Sequence, residues 1–282
     1  MTTIARRGKS SLDLLHSMIY FAPEAADEFA ALGLDRGLMS YLAGRSAPMG
    51  AVGAGVVSAT FYNFNPAKVA AEIPRAWSIA APSDVIAARF RAVDGALRRL
   101  LGAEVTSDLV ATTAELAQAA TQDLRPDGKP LYAAHADLAW PEEPHLRLWH
   151  AVSLLREFRG DAHITALQRA GLSGLQALVL HVATGEGFTA EAARRTRVWS
   201  EDEWAAGVSE LRQRGLVDAD GAITEQGAAL REEVETETDA MSAGPWESLS
   251  GDQLDVLLGN GSQLSRALLA AGALPPGLFA KR

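Results

Sequence analysis

The sequence predicts a mainly α-helical protein in two halves, the second of which carries one small β-hairpin. Three observations point there. Apolar residues recur at helical spacing along most of the 282 residues. Capping residues and glycine stops bracket those stretches. Only VDADGAITEQG, residues 217–227, reads as two short apolar strands around an Asp-Gly turn.

In chain order, Leu12 to Phe21 is apolar at helical spacing. PMGAVGAGVVSATFYNFNP (48–66) reads as a buried helix that ends in a turn at Asn65-Pro66, and its glycines mark tight packing. Residues 83–101 form a helix with Ser83 as N-cap and Gly102 as stop, and 106–122 form an alanine-rich one. LRPDGKP (124–130) is rich in turn residues and divides the chain into 1–128, a helical domain, and 129–282, a second domain with a C-terminal tail. Pro144 opens a helix that Gly160 closes, and Asp161 caps the next. Helices follow at 171–187, at 188–197 with Thr189 as cap, at 200–216, and, after the hairpin, at 228–241. Helix, helix, helix, hairpin, helix is the order of a winged helix-turn-helix.

Composition bounds the function. A 48% hydrophobic chain of this length buries one large core or two ordinary ones. The net charge of −9 disfavours polyanionic partners at long range. With no cysteine, disulfides, thiolate metal sites and cysteine nucleophiles are excluded. Arg6, Arg7 and Lys9 precede an apolar stretch broken by Asp13, His16 and Ser17, a poor secretory signal, and 48–66 is too short for a membrane span. The expectation is a cytoplasmic protein without a membrane partner. P-loop, H-E-x-x-H and G-x-S-x-G motifs are absent, and no two histidines stand in a metal-ligand spacing, so no metal is expected and no cofactor is indicated.

Residues 171–241 resemble the MarR-type winged helix, on ELRQRGLVDADGAITEQGAALRE, where RGLV leads into the wing and T-x-x-G leads out. The whole chain resembles an actinobacterial family of helix-turn-helix proteins, on YFAPEAADEFAALGL, AGRSAPMG, FYNFNP, IPRAW and LLREFRGDAH. The first resemblance implies a DNA-reading fold, usually dimeric; the second implies the fold and little about activity. The halves also run parallel: 21–50 with 158–187, AWS (76–78) with VWS (198–200), ALRRLLG with ELRQRGL. The first half then reads as a possible degenerate winged helix, and such a duplicated chain is self-sufficient as a monomer, the alternative being a homodimer.

One stretch argues against DNA. The helix that should meet the major groove opens SEDEW, with Glu201, Asp202 and Glu203 in its first turn. Ser200 and Glu203 form a capping box, Trp199 and Trp204 occupy the positions of a hydrophobic staple, and acids suit the helix dipole. They do not suit phosphates. From 171 to 245, fourteen carboxylates against six arginines leave −8, and VDADGAIT holds no Lys or Arg. The contrary signal is RRTR: Arg194, Arg195 and Arg197 contact DNA on the alternative reading and pair with neighbouring acids on the favoured one.

A small organic ligand is the partner this pattern favours. His16 and Tyr20 share one helix face, as do His145 and Trp149. Together with Arg45, Tyr62, Asn63, Trp77, His150, Arg156 and His163, the residues His16, Tyr20 and Trp149 are the candidate ligand-binding set, with Phe61 as a further aromatic wall. They are expected in one cavity between the halves, aromatic walls carrying a few polar anchors. Two alternatives stand beside it: a MarR-like transcriptional regulator, and an enzyme using His150, Arg156, Arg159, Asp161 and His163 as acid–base groups.

Overall fold

Fifteen α-helices, three short 3-10 turns and a single β-bridge make up the regular structure of the computed structural model, which describes residues 3–275. The helices are α1 (Ile4–Ser17), α2 (Pro23–Ala31), α3 (Leu38–Ser46), α4 (Ala54–Phe61), α5 (Pro66–Ile79), α6 (Pro82–Leu101), α7 (Asp108–Ala119) and α8 (Pro130–Ala136). They continue with α9 (Pro144–Arg169), α10 (Gly174–Val182), α11 (Ala190–Arg197), α12 (Glu201–Gln213), α13 (Glu225–Met241), α14 (Gly244–Glu247) and α15 (Gly251–Ala270). None is long and apolar enough to cross a membrane.

The helices sort into two units whose segments alternate along the chain. Among the described residues, the first unit takes 3–52, 75–162 and 239–274; the second takes 53–74, 163–238 and 275. Helices α9 and α13 therefore each contribute to both units.

In the first unit the core forms around α6, whose buried stripe Val85, Ala88, Ala92, Val93, Ala96 and Leu97 recurs every three to four residues. Helix α15 lies along α1 so closely that a Cβ on Gly261 would stand 2.5 Å from the Leu12 side chain, and Ser265 donates to the Ser11 carbonyl at 2.8 Å. The sequence reads this region as a tail. It is a 20-residue helix opened by a capping box, Ser250 with Gln253.

The second unit holds the four helices expected over 171–241 as α10 to α13. Helix α10 starts at a capping box (Ser173, Gln176), α11 at Thr189 and α12 at the expected Ser200–Glu203 box. Leu172, Leu180, Leu211, Leu216, Val217 and Val234 close its core.

The expected β-hairpin wing is corrected to one antiparallel bridge, Val217 to Ile223, and the described residues hold no extended strand. The reason is local. Asp218 Oδ1 accepts from the Asp220 and Ala222 amides and closes a tight turn at 219–221, and Thr224 already caps α13 through the Gly227 amide at 3.1 Å. No residues are left over for strands. The expected helix stop at Gly160 is also absent: α9 runs through it to Arg169. One interior glycine costs about 1 kcal/mol, less than the burial of the flanking turns returns. In place of one buried helix, residues 48–66 hold the end of a 3-10 turn (Ala47–Met49), the eight-residue α4 with Val56 exposed, and the start of α5 at Pro66, since Gly50 at φ +80° sets a turn and Gly53 the cap.

Candidate functional site

A buried polar cluster lies in the first unit, built on α1, α3, α6, α8 and α9. His16, fully buried, sits at its centre. The Ser153 hydroxyl donates to the Trp149 carbonyl at 2.7 Å, so its oxygen accepts from His16 Nδ1, also at 2.7 Å. Nε2 is then left to accept the Tyr20 hydroxyl at 2.7 Å. This network fixes His16 as neutral with its proton on Nδ1. Burial, then the positive charges of Arg156, Arg89 and Arg45, hold its pKa well below 6.5. The imidazole stacks on Trp149 with planes 6° apart. Burial also raises the Tyr20 pKa, keeping the phenol protonated as donor.

Beside it, Arg45 grips Glu157 through two bonds of 2.9 and 2.8 Å and reaches the Tyr41 hydroxyl at 3.1 Å. Burial pushes the Glu157 carboxyl up, but Arg45 and Arg156 outweigh it and hold the group below the usual carboxylate range. Arg156 pairs with Asp13. The third guanidinium, Arg89, is only 3% exposed and has a different environment. Its Nη1 lies 3.0 Å from His135 Nε2, its Cζ 4.8 Å from the Trp149 ring, and its Nη2 is buried with no hydrogen-bond partner. His135 receives that hydrogen bond as a neutral ring, since burial and then Arg89 lower its pKa to about 3. A buried donor without an acceptor costs roughly 1–3 kcal/mol, more when charged.

A pocket of about 130 Å³ opens between α2 and α3, with Arg89 in its wall. Its apolar sides are Ile19, Ala22, Ala25, Ala26 and Phe29; Tyr20, Ser40, Tyr41 and Arg45 complete it, with Gly37 and Gly44.

Of the expected ligand set, the first unit brings together His16, Tyr20, Arg45 and Trp149, and places Arg156 next to them on Asp13. Tyr20 and Arg45 line the pocket itself. His150 is buried with neither ring nitrogen hydrogen-bonded, packed edge-on against Trp140 at 4.7 Å, and burial lowers its pKa to about 4. Trp77 donates to the Val52 carbonyl at 2.9 Å. Tyr62, Asn63 and His163 belong to the second unit: Tyr62 donates to the Leu172 carbonyl, Asn63 meets Arg197, and His163 meets Thr238. Two local expectations are corrected. Asp161 does not cap a following helix, and His163 is not in a first turn, because both lie inside α9. Asp161 instead accepts from the Leu131 and Tyr132 amides at the start of α8, and burial raises its pKa to about 6. Of the groups considered as acid–base machinery, Arg156 pairs with Asp13 and Arg159 with Asp239.

The sequence reading misses Arg89, Glu157 and Tyr41. Arg89 had a signal, a charge inside the apolar stripe of α6. Glu157 had one too, falling on the Trp149–Ser153 face of α9, four residues on.

In the second unit residues 61–65 are bonded to the start of α12, whose Glu201, Asp202 and Glu203 stay exposed. Residues 61–65 pass over the turn between α11 and α12: Trp199 donates to the Asn63 carbonyl at 2.9 Å, the Asn65 amide to the Arg197 carbonyl at 3.1 Å, and Asn65 Nδ2 to Glu203 at 3.0 Å. Arg197 lies over the Phe64 ring, and Arg194 pairs with Glu201 at 2.8 Å. Arg195 stays exposed. Arg212, near the other end of α12, donates to the Asp218 and Ala219 carbonyls. Backbone packing is tight: a Cβ on Gly174 would lie 1.8 Å from the Tyr62 carbonyl oxygen. Gly174→Ala is expected to lift residues 61–65 off the start of α10, costing roughly 1–3 kcal/mol or more. The Trp199 environment checks it; unchanged tryptophan emission and unchanged stability count against the packing described.

Residues 5–275 match a helix-turn-helix family, and the chain belongs to that family. No curated protein and no solved structure matches it.

Proposed function

We propose that this protein is a winged-helix-like member of its family that binds a small organic ligand, with DNA contact weakened or lost. The pocket is formed within the first unit, by residues between 19 and 89, in place of the inter-half cavity the sequence suggested. One observation carries the loss of DNA contact: the start of α12 presents exposed Glu201, Asp202 and Glu203 and is strapped by residues 61–65. A helix in that state brings carboxylates toward phosphates, against the electrostatic term that supplies most non-specific affinity.

The division into 1–128 and 129–282 is proposed as the trace of a duplication. Gly33 and Gly171 both sit at positive φ, and the residue after each bonds back to the same relative carbonyl, Leu34 to Phe29 and Leu172 to Leu167. The same turn also ends α12 at Gly215 and α15 at Gly272, so the duplication rests on the sequence parallels between the halves.

Mobility shift at low salt, against fragments upstream of and within the protein's own operon, tests the reading. The expected result is no sequence-selective complex. A tight, selective shift that disappears in Arg194→Ala/Arg195→Ala/Arg197→Ala establishes the regulator reading instead, which exposed Arg195 favours.

A further inference from the structure

We propose that the first-unit pocket takes a small monocarboxylate with an apolar, ring-sized body, its carboxylate held against Arg89. The assignment rests on the ligand reading above and sharpens it.

Charge decides the class. Three guanidinium groups border the cluster, and two are matched, Arg45 by Glu157 and Arg156 by Asp13. Arg89 faces neutral His135 and the Trp149 ring, and its buried Nη2 has no acceptor. Guanidinium stays charged inside proteins, so the wall carries one cation without a counter-ion. A planar carboxylate offers paired oxygens that match the guanidinium fork. An ammonium ligand would meet Arg45 and Arg89 together. A second carboxylate would meet either the apolar side of Ile19, Ala22, Ala25 and Phe29 or Ser40 and Arg45, which already donate to the Asp35 carbonyl and to Glu157.

Size decides the body. About 130 Å³ is close to the roughly 150 Å³ cavity that holds benzene in another protein. Aromatic rings from Tyr20, Tyr41 and Phe29 and small side chains at Ala22, Ala25 and Ala26 suit a flat apolar group.

Calorimetric titration of the full chain with benzoate and with benzamide, its uncharged analogue, tests this. Benzoate is expected to bind roughly 10- to 100-fold more tightly, the range for a hydrogen bond to a charged group. Arg89→Gln removes that preference, and Ala26→Phe, which fills the partly exposed mouth, removes binding of both while Arg89 is intact. If Arg89→Gln does not fold, the wild-type benzoate-to-benzamide ratio together with Ala26→Phe decides. Equal binding of the two probes, blocked by Ala26→Phe, overturns the carboxylate and leaves the small-ligand reading standing. Binding of neither probe overturns the carboxylate assignment, while the DNA experiment still tests the loss of operator contact by itself.

Discussion

Acidification from pH 7 to about pH 4 is expected to destabilise the first unit by about 3–4 kcal/mol, well before general acid unfolding. His135 and His150 are buried and neutral, with pKa values lowered to about 3 and about 4. In the unfolded chain both titrate near 6.5. Below pH 6.5 the unfolded state therefore takes up protons that the folded state refuses, and stability falls with pH until the folded pKa values are reached. Each contributes on the order of 3 kcal/mol by pH 4. Asp161 works in the opposite sense. Its folded pKa, about 6, lies above the unfolded one, so the folded state gains a proton first and recovers roughly 2–3 kcal/mol over the same range. His16, whose pKa burial holds well below the ordinary imidazole value, adds to the loss, as does Glu157, whose folded pKa is depressed. Urea unfolding at pH 7, 5.5 and 4.5, with hydrogen exchange resolved to α8 and α9, measures it. His150→Phe should flatten the slope. Stability unchanged across that window would mean these histidines are hydrated or protonated in the native state.

What the sequence makes legible is mostly local. The Ser200–Glu203 box and Thr189 as a cap depend on residues within one turn of each other, and they stand where the spacing puts them; the helix expected from Ser83 as cap instead opens at Pro82 with Ala81 as N-cap and runs to Leu101. Even so, a local signal fails where a neighbour competes for the same residues. Asp220-Gly221 does turn the chain, yet Thr224 begins α13 at once and the hairpin shrinks to a bridge. Gly160 signals a stop that the burial of Ala162 and Ala166 overrides.

The cluster is legible only in part, and the reason is separation along the chain. His16 and Tyr20 share a helix face by spacing alone, but Ser153 and Trp149 stand 137 and 133 residues away. Nothing periodic links them. Histidines at similar helical positions end in unlike surroundings: His16 in a full network, His150 among rings without a hydrogen bond, His163 on a threonine of α13. Which one joins a site depends on which helices meet, and that is set by the α1–α15 and α6 packing that the sequence reading did not include. Arg89 shows the reverse case: a charge inside an apolar stripe is a readable anomaly, since such a group is rarely buried without a purpose.

Removing the Glu157 charge should be the most damaging single change in the first unit. Glu157 is 2% exposed and accepts both bonds from Arg45. Glu157→Gln keeps the volume and deletes the charge, leaving the Arg45 guanidinium without its carboxylate partner. Breaking one side of a buried pair costs roughly 3–5 kcal/mol, and a shift of 2–4 °C per kcal/mol puts the melting midpoint about 6–20 °C lower. The loss comes from the uncompensated charge more than from the lost contact, so the double variant Glu157→Gln/Arg45→Met should recover part of it. Differential scanning fluorimetry with circular dichroism reads both. A single variant within 1 kcal/mol of wild type, or a double variant worse than the single by the full cost of Arg45→Met, would show that the pair contributes nothing to holding α3 on α9. Glu157→Gln also probes the pocket. With the compensating charge gone, the excess positive charge at its wall rises from one to two. Benzoate should then raise the melting midpoint of Glu157→Gln more than that of wild type, and benzamide should not.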